Sequence, residues 1–204
     1  MNTSIALSFI LKTNTQCSYL SLRRNLLGDE GAIELAKVIR TTRSLVYVDL
    51  ASTGLLSRGG TVIFRALQKN ESITSLDLST CSGLIHNHID SASTKELIHV
   101  LLNNKVLSIL NLNGNAIKVA GIENISRGIA GNTCLLSLKI AYNEFEGGVK
   151  CINYLKRIVC DANLKELDIS GNKLGNKYFE EVIILLAKST INRINLSSVD
   201  IDCN

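Results

Sequence analysis

The sequence predicts an α/β fold: a right-handed solenoid with a parallel β-sheet on its concave face and helices on its convex face. Successive copies of one pattern start 28, 28, 34, 28, 29 and 27 residues apart, and such a period is typical of stacked repeats. Apolar residues at helical spacing separate the copies. The seven copies begin at Cys17, Leu45, Ile73, Leu107, Leu135, Leu164 and Ile191.

Residues 107–117 carry the clearest copy. Leucine occupies its first, fourth and sixth positions, Asn115 its ninth and Ile117 its eleventh. Alternation of inward and outward side chains indicates a strand, and each strand returns to the next through a helix in a right-handed crossover. Helices are wider than the spacing of strands, so the stack bends with its strands on the inside.

Residues 1–16 correspond to the helical half of a repeat and are expected to form an N-terminal cap. Leu7, Ile10 and Leu11 lie 28 residues before the helix positions of the first full repeat. A chain that starts inside a repeat favours a fragment of something longer. In that first repeat, Gly28 permits a tight turn, and residues 32–40 present one apolar helical face.

The third repeat carries six extra residues. The pattern assigns Cys81 to its ninth position and Leu84 to the inward apolar position after the turn, and it places the insertion within about residues 85–94. The second repeat has Thr53 at position nine. The helix of the third repeat is expected to resume at Lys95.

The repeats that begin at 107, 135 and 164 follow the pattern closely. The last, at 191, stops after its strand and has Val199 at position nine. Its inward Ile194 and Leu196 need a cover, which again favours a fragment, a partner or a following domain. Asparagines recur at position nine, where their amides are predicted to bond the turns of adjacent repeats: Asn25, Asn115, Asn143 and Asn172.

The pattern L-x-x-L-x-L-x-x-N-x-L with a helix and a period near 28 resembles the leucine-rich repeats of the ribonuclease-inhibitor class. The resemblance covers Cys17–Ile201, with departures at Thr53, Cys81 and Val199. It implies a curved scaffold that usually binds proteins, and it implies no single chemistry.

Composition excludes several other classes. Apolar residues make up 46% of the chain and charged residues 20%, which excludes disorder. The net charge of +4 includes no basic block, so nucleic acid is not expected as a partner, and no apolar run is long enough for a membrane span. Six cysteines without a C-x-x-C pair favour free thiols and a cytoplasmic location.

The expected binding surface is the concave sheet, lined by the third, fifth and seventh positions of each repeat. Tyrosine and arginine dominate binding hot spots, and they cluster at the N-terminal end. Soluble sheets of this kind also carry habitual aspartates at position five, so a purely structural role stays open. The predicted protein-binding residues are Tyr19, Arg23, Arg24, Tyr47, Asp49, Asp77, Lys139, Tyr142, Glu166, Asp168 and Arg193.

No catalytic or cofactor motif is evident, so the prediction is a non-enzymatic scaffold without cofactor. His86 and His88 in the insertion lack a third ligand and favour a solvated loop over a metal site. One alternative is a GTPase activator resembling Ran GTPase-activating protein, for which Arg23, Arg24 and Arg58 are the arginines near strand-to-helix turns. Another is a segment of a larger receptor, a cytoskeletal or ciliary assembly, or a secreted effector.

Overall fold

The computed structural model describes residues 3–201. Residues 1–2 and 202–204, at the ends of the first and last predicted repeats, lie outside this range. Helices and strands alternate throughout the described residues. Their bounds are α1 Thr3–Thr13, β1 Tyr19–Ser21, α2 Gly28–Ile39, β2 Tyr47–Asp49, α3 Ser57–Leu67, β3 Ser75–Asp77, α4 Thr94–Asn103, β4 Ile109–Asn111, α5 Lys118–Ile129, β5 Ser137–Lys139, α6 Val149–Cys160, β6 Glu166–Asp168, α7 Asn176–Leu186 and β7 Arg193–Asn195.

The strands form one parallel sheet in consecutive order from β1 to β7. Leu110 pairs with Leu138, and Leu138 pairs with Leu167, so equivalent leucines lie one above another in neighbouring layers. Each helix packs against the next helix along the chain. These observations confirm the predicted α/β solenoid. A helix is about 10 Å wide and strands lie about 4.8 Å apart, so the sheet occupies the concave side of the stack.

The asparagines at position nine join successive turns, as the sequence predicts. The Nδ2 of Asn143 donates to the carbonyl of Leu112 in the layer before, at 2.9 Å, and its backbone N–H donates to the Oδ1 of Asn172 at 2.8 Å. The backbone groups of these buried turns therefore have partners inside the protein. Asn25 differs, because it is exposed and bonds only carbonyls of its own turn.

The third layer corrects the sequence prediction. Asn87, not Cys81, occupies the asparagine position: its Oδ1 accepts the N–H groups of Thr53 and Leu55, and its Nδ2 donates to the carbonyl of Leu50 at 2.8 Å. Leu84, predicted to point inward, is wholly exposed. The extra residues are 81–86, ahead of the predicted 85–94. A side-chain amide offers an acceptor oxygen and two donor hydrogens from one planar group, and the chain loops out between Thr80 and Asn87 so that Asn87 can make all of these bonds.

A second row of asparagines lies at the other end of the strands, three residues before the first position of their repeats. Asn70, Asn104 and Asn132 each accept the N–H groups of the second and third residues that follow them. Their Nδ2 groups donate to carbonyls at the end of the helix in the layer before, at 2.6–2.9 Å. These bonds satisfy carbonyls that a helix end leaves free.

Some side chains predicted to point inward are exposed near the two ends of the stack. Ile10 is 57% exposed, Ile183 43% and Ile194 38%, because within the described residues no full layer covers them. Central layers are closed, with Phe64 and Phe145 as their largest buried side chains. No helix within residues 3–201 is long and apolar enough to cross a membrane.

Candidate functional site

Two clusters of side chains interrupt the small polar residues of the concave sheet. The predicted binding residues of layers one to three form what we call the N-terminal concave patch: Tyr19, Arg23, Arg24, Tyr47, Asp49 and Asp77. Those of layers five to seven form the C-terminal concave patch: Lys139, Tyr142, Glu166, Asp168 and Arg193. Between the two patches, β4 presents the half-exposed Ile109 and no charged residue.

Tyr19 and Tyr47 stack face to face on adjacent strands. The register of β1 and β2 pairs their Cα atoms, and their ring centroids lie 4.7 Å apart with the planes 1° from parallel. Tyr19 is 60% exposed. Burial, with a smaller effect from the nearby Asp49 and Asp77, raises the pKa of Tyr47, so its hydroxyl stays protonated at neutral pH. The pair forms a rigid aromatic surface that is already assembled.

Arg23 links the first three layers. Its Nη1 lies 3.7 Å from the Oδ2 of Asp49 and 4.0 Å from the Oδ2 of Asp77, and its Nη2 contacts the Sγ of Cys81 at 2.7 Å. The guanidinium is therefore positioned by two carboxylates and by the start of the inserted loop. Its side chain remains 42% exposed and available to a partner.

Asp49 and Asp77 support the turns that follow their strands. The Oδ1 of Asp49 accepts the N–H of Ala51 at 2.9 Å, and the Oδ1 of Asp77 accepts the N–H of Ser79 at 2.8 Å. Asn111, Asp168 and Asn195 make the same bond in their layers. Asp49 is also buried, so its contribution to binding would be to hold Arg23 rather than to contact a partner directly.

Arg24 has left-handed backbone geometry, with φ of +60°. The same turn position is left-handed in most layers, and two layers use glycine there, Gly114 and Gly171. A long side chain in this geometry is strained, and such strain concentrates at functional positions. Within the described residues the exposed guanidinium of Arg24 has neither an ion pair nor a hydrogen bond.

Glu166 is the centre of the C-terminal concave patch. Its Oε1 lies 3.3 Å from the Nζ of Lys139 and 3.7 Å from the Nη1 of Arg193, and its Oε2 accepts the hydroxyl of Ser137 at 2.6 Å. Partial burial alone would raise the pKa of Glu166. The hydrogen bond from Ser137 and the two cations outweigh that effect and lower the pKa. The carboxylate is therefore ionised at neutral pH.

Lys139 interrupts the row of turn-supporting residues at position five. With no acceptor on Lys139, the N–H of Ala141 donates instead to the Oδ1 of Asn113 in the preceding layer, at 2.7 Å. Asn113 also donates to the Oδ2 of Asp168 at 3.3 Å. This compensated departure leaves a cation at position five, where the other layers have neutral or acidic side chains.

Tyr142 lies at the rim of the sheet rather than among the charged residues of its patch. Its backbone is left-handed, with φ of +51°, and its ring packs directly on Gly171, where a Cβ would collide with it. The ring is 58% exposed and lines a cavity of about 260 Å³ together with Gly171 and Lys173. The structure thus places four members of the patch together and Tyr142 beside them.

Three residues that shape the patches are not among the predicted binding residues: Cys81, Asn113 and Ser137. Ser137 could have been found from the strand register, which pairs it with Glu166. Cys81 could not, because the misplaced insertion assigned it to the interior of a turn. Its contact with Arg23 depends on the loop leaving the layer at that residue.

Within the described residues, neither the inserted loop nor the buried thiol of Cys151 has the features of a metal site or of a reactive cysteine. The side chains of His86 and His88 are exposed, and Asn87 between them is structural. Across residues 3–201 no group of three or more histidine, cysteine or acidic residues is placed to hold a metal ion. Burial raises the pKa of Cys151 to about 11, so its thiol is protonated and serves packing.

Comparison with known proteins identifies the repeats. The family described as Leucine Rich repeat matches residues 18–36, 103–126 and 161–177. The chain is 31% identical over 202 residues to NACHT, LRR and PYD domains-containing protein 14 of Mus musculus, covering 97% of this chain and 19% of that protein. It is 26% identical over 195 residues to the ribonuclease inhibitor of Mus musculus, covering 83% and 42% respectively.

A further relative is the Rho GTPase-activating protein gacW of Dictyostelium discoideum, 28% identical over 160 residues, covering 76% of this chain and 14% of that protein. Among solved structures, the Leiomodin-1 Actin-Binding Site 2 superposes with a TM-score of 0.54 at 17% identity, covering 91% of this chain and 86% of that one. This likeness shows a shared fold.

The chain spans less than half of the length of each of these three relatives. Leucine-rich repeat domains act in general as protein-interaction scaffolds. Homologues that resemble the ribonuclease inhibitor are typically non-enzymatic binding modules. The repeat pattern, the parallel-sheet solenoid and the relatives agree: the chain belongs to the leucine-rich repeat proteins of the ribonuclease-inhibitor-like class.

Proposed function

We propose that the chain is a non-enzymatic scaffold that binds a protein partner through the N-terminal concave patch and the adjacent turns. The observation that carries this proposal is the exposed stack of Tyr19 and Tyr47 beside the positioned guanidinium of Arg23. Rigid aromatic rings contribute a large contact area and lose little conformational freedom on binding, and an arginine that two carboxylates already position loses less than a free one. The C-terminal concave patch, with Lys139 and Arg193 around Glu166, would form a second contact.

The experiment is affinity capture from the native cell with the wild-type chain and a quadruple variant, Tyr19→Ala, Arg23→Ala, Arg24→Ala and Tyr47→Ala. We expect the variant to lose the partner that the wild type captures while its circular-dichroism spectrum stays unchanged. A double variant of exposed residues on α6, Lys156→Ala and Arg157→Ala, is the control and should retain the partner. Capture that survives the quadruple variant would contradict the proposal for this patch.

A second candidate function is activation of a GTPase, which is supported by the name of the Dictyostelium relative and by an arginine without an ion pair among the described residues at a strand-to-helix turn. Arg58 is paired with Glu30 at 2.7 Å and Arg23 is held by two aspartates, which leaves Arg24 as the candidate to reach a nucleotide. Rates of GTP hydrolysis by small GTPases, with and without the chain, test it. Acceleration that Arg24→Ala abolishes would support this function over the first.

We further infer that this domain works as one module of a larger polypeptide or complex, since its relatives are much longer proteins. The cysteines of the described residues are free, which supports a reducing compartment and hence the cytoplasm. Fractionation of the native cell tests that location. Recovery of the chain from a secreted fraction would contradict it.

A further inference from the structure

The inserted loop has a fixed base and an apolar tip. At the base, Thr80 Oγ1 accepts the N–H of Asn87 at 2.9 Å and donates to the carbonyl of Asn87 at 3.0 Å. The N–H of Cys81 donates to the Oγ of Ser52 at 2.8 Å. Beyond this base, Leu84 is wholly exposed. A loop anchored this firmly presents its leucine at a defined place beside the N-terminal concave patch.

Leu84 directly precedes Ile85 in the loop, and Ile85 lies near another exposed leucine, Leu26. Gly54, in the turn of the second layer, has φ of +73°, and a Cβ there would lie 2.9 Å from the Cδ1 of Leu26 and 3.8 Å from the Cγ2 of Ile85. The side chains of Leu26 and Ile85 therefore approach each other over a turn that has no side chain of its own. Leu26 is 79% exposed. We call Leu26, Leu84 and Ile85 the apolar rim.

The charges around the apolar rim favour an acidic partner. Its acids are occupied: Asp29 accepts the N–H groups of Leu56 and Gly59, Asp90 accepts the hydroxyl of Ser57, and Glu30 pairs with Arg58. What remains for a partner is cationic: the exposed guanidinium of Arg24 has no partner among the described residues.

We propose that the apolar rim docks an amphipathic segment of another protein, in which two or three apolar side chains are flanked by acidic residues. The inference depends on the proposed function, because it names the chemistry of the partner that the N-terminal layers bind. Exposed apolar side chains that cluster beside polar groups mark interaction sites. Arg24 supplies the complementary charge, and the fixed base of the loop lowers the entropy cost of binding.

The test pans random 16-residue peptides displayed on phage against the wild-type chain and then measures the affinity of synthetic copies by fluorescence anisotropy. Enriched peptides should carry net negative charge and apolar residues at helical or alternating spacing. Leu84→Ser and Leu26→Ser should each weaken binding about tenfold, and Arg24→Glu should weaken acidic peptides selectively. Leu102→Ser, at an exposed leucine of α4, is the matched control and should leave the affinity unchanged.

Several results would overturn the inference: no enriched peptide, enrichment of basic or wholly polar peptides, or affinities that Leu84→Ser and Leu26→Ser leave unchanged. Self-association that sedimentation detects and Leu84→Ser abolishes would assign the rim to a second copy of the chain instead. The proposed function fails separately. If Tyr47→Ala abolishes capture of the partner while Leu84→Ser and Leu26→Ser retain it, binding by the N-terminal concave patch is supported and docking at the apolar rim is contradicted.

Discussion

At the scale of single residues, the amides of buried asparagines hold the turns of neighbouring layers together. Asn87 satisfies the N–H groups of Thr53 and Leu55 and the carbonyl of Leu50 from one side chain that is 2% exposed. Asn87→Ala would leave these buried groups without partners. We expect it to lower the free energy of unfolding by about 3 kcal/mol or more, measured by urea denaturation.

The matched control is Asn25→Ala, at the same repeat position in the first layer. Asn25 is exposed and bonds only the carbonyls of Leu22 and Arg23, which water can replace, so we expect a loss below about 1 kcal/mol. Cys81→Ser tests the position that the repeat pattern alone assigns. If Cys81→Ser destabilised the chain as much as Asn87→Ala, the structural account of the third layer would be wrong.

Arg24 has a backbone conformation that is strained for any residue with a long side chain. Its φ of +60° suits glycine, and its side chain makes no polar contact among the described residues that would offset the strain. Arg24→Gly should therefore raise the free energy of unfolding by up to about 1 kcal/mol and, under the proposed function, weaken partner binding. A thermal melt and the capture assay measure the two effects.

The reverse change at the same turn position is Gly114→Ala. Gly114 has φ of +69°, and a Cβ there would lie 2.9 Å from the backbone oxygen of Thr80. We expect this variant to be less stable than the wild type by about 1–2 kcal/mol. For the earlier variant, Arg24→Gly, a fall in melting temperature would contradict the prediction, because it would show that the arginine side chain stabilises the fold.

At the scale of elements, the strands could be predicted because two constraints coincide in each. Leu110 alternates with its outward neighbours, and it recurs at a fixed distance from Leu138 and Leu167, as their pairing in the sheet confirms. The inserted loop had only one constraint. Leu84 and Ile89 are both apolar residues that could fill the inward position after the turn, and only the buried hydrogen bonds of Asn87 distinguish them.

For the candidate site, the repeat pattern predicts which residues face outward on the sheet but not how their side chains are arranged. The outward positions identified Tyr19 and Tyr47, and a shared register implies that they are neighbours. The stacked geometry, the link from Arg23 to Cys81 and the departure of Tyr142 to the rim depend on side-chain rotamers and on the loop. Neither follows from a repeating pattern. The binding role of these residues stays a prediction.

The start of α4 offers a test by pH. The Oδ1 of Asp90 accepts the N–H groups of Ala92 and Ser93 and the hydroxyl of Ser57. Burial alone would raise the pKa of Asp90, but the bonds from Ser93, Ser57 and Ala92 outweigh it and lower the pKa below its ordinary 3.8. A lowered folded-state pKa stabilises the folded chain above pH 3.8, and this contribution disappears as the pH falls through the lowered value.

Asp90→Asn removes the charge and keeps the shape of the side chain. We expect the variant to be less stable than the wild type at neutral pH, and the difference to shrink steadily below about pH 4. Urea denaturation at a series of pH values measures it. A difference that grew on acidification would reverse the sign of the proposed contribution.

At the scale of the whole molecule, most of the stabilising contacts join adjacent layers. Within the described residues each helix packs against the next helix and each strand pairs with the next strand, so the layers stack in a row and do not surround one central core. The central helices bury several side chains each, whereas α7 buries Val182 alone within the described residues and all of β7 is exposed. Local opening should therefore cost least in the last described layers.

Amide hydrogen exchange can measure this gradient. We expect α7 and β7 to exchange faster than β2 to β5, and Val182→Ala to speed exchange in α7 while leaving the protection of β2 and β3 unchanged. Ile63→Ala, at a fully buried residue of α3, should instead cost about 3 kcal/mol and lower protection in the layers on both sides of α3. Equal loss of protection in every strand after Val182→Ala would mean that the solenoid unfolds as one cooperative unit, and stability would then not be confined to neighbouring layers.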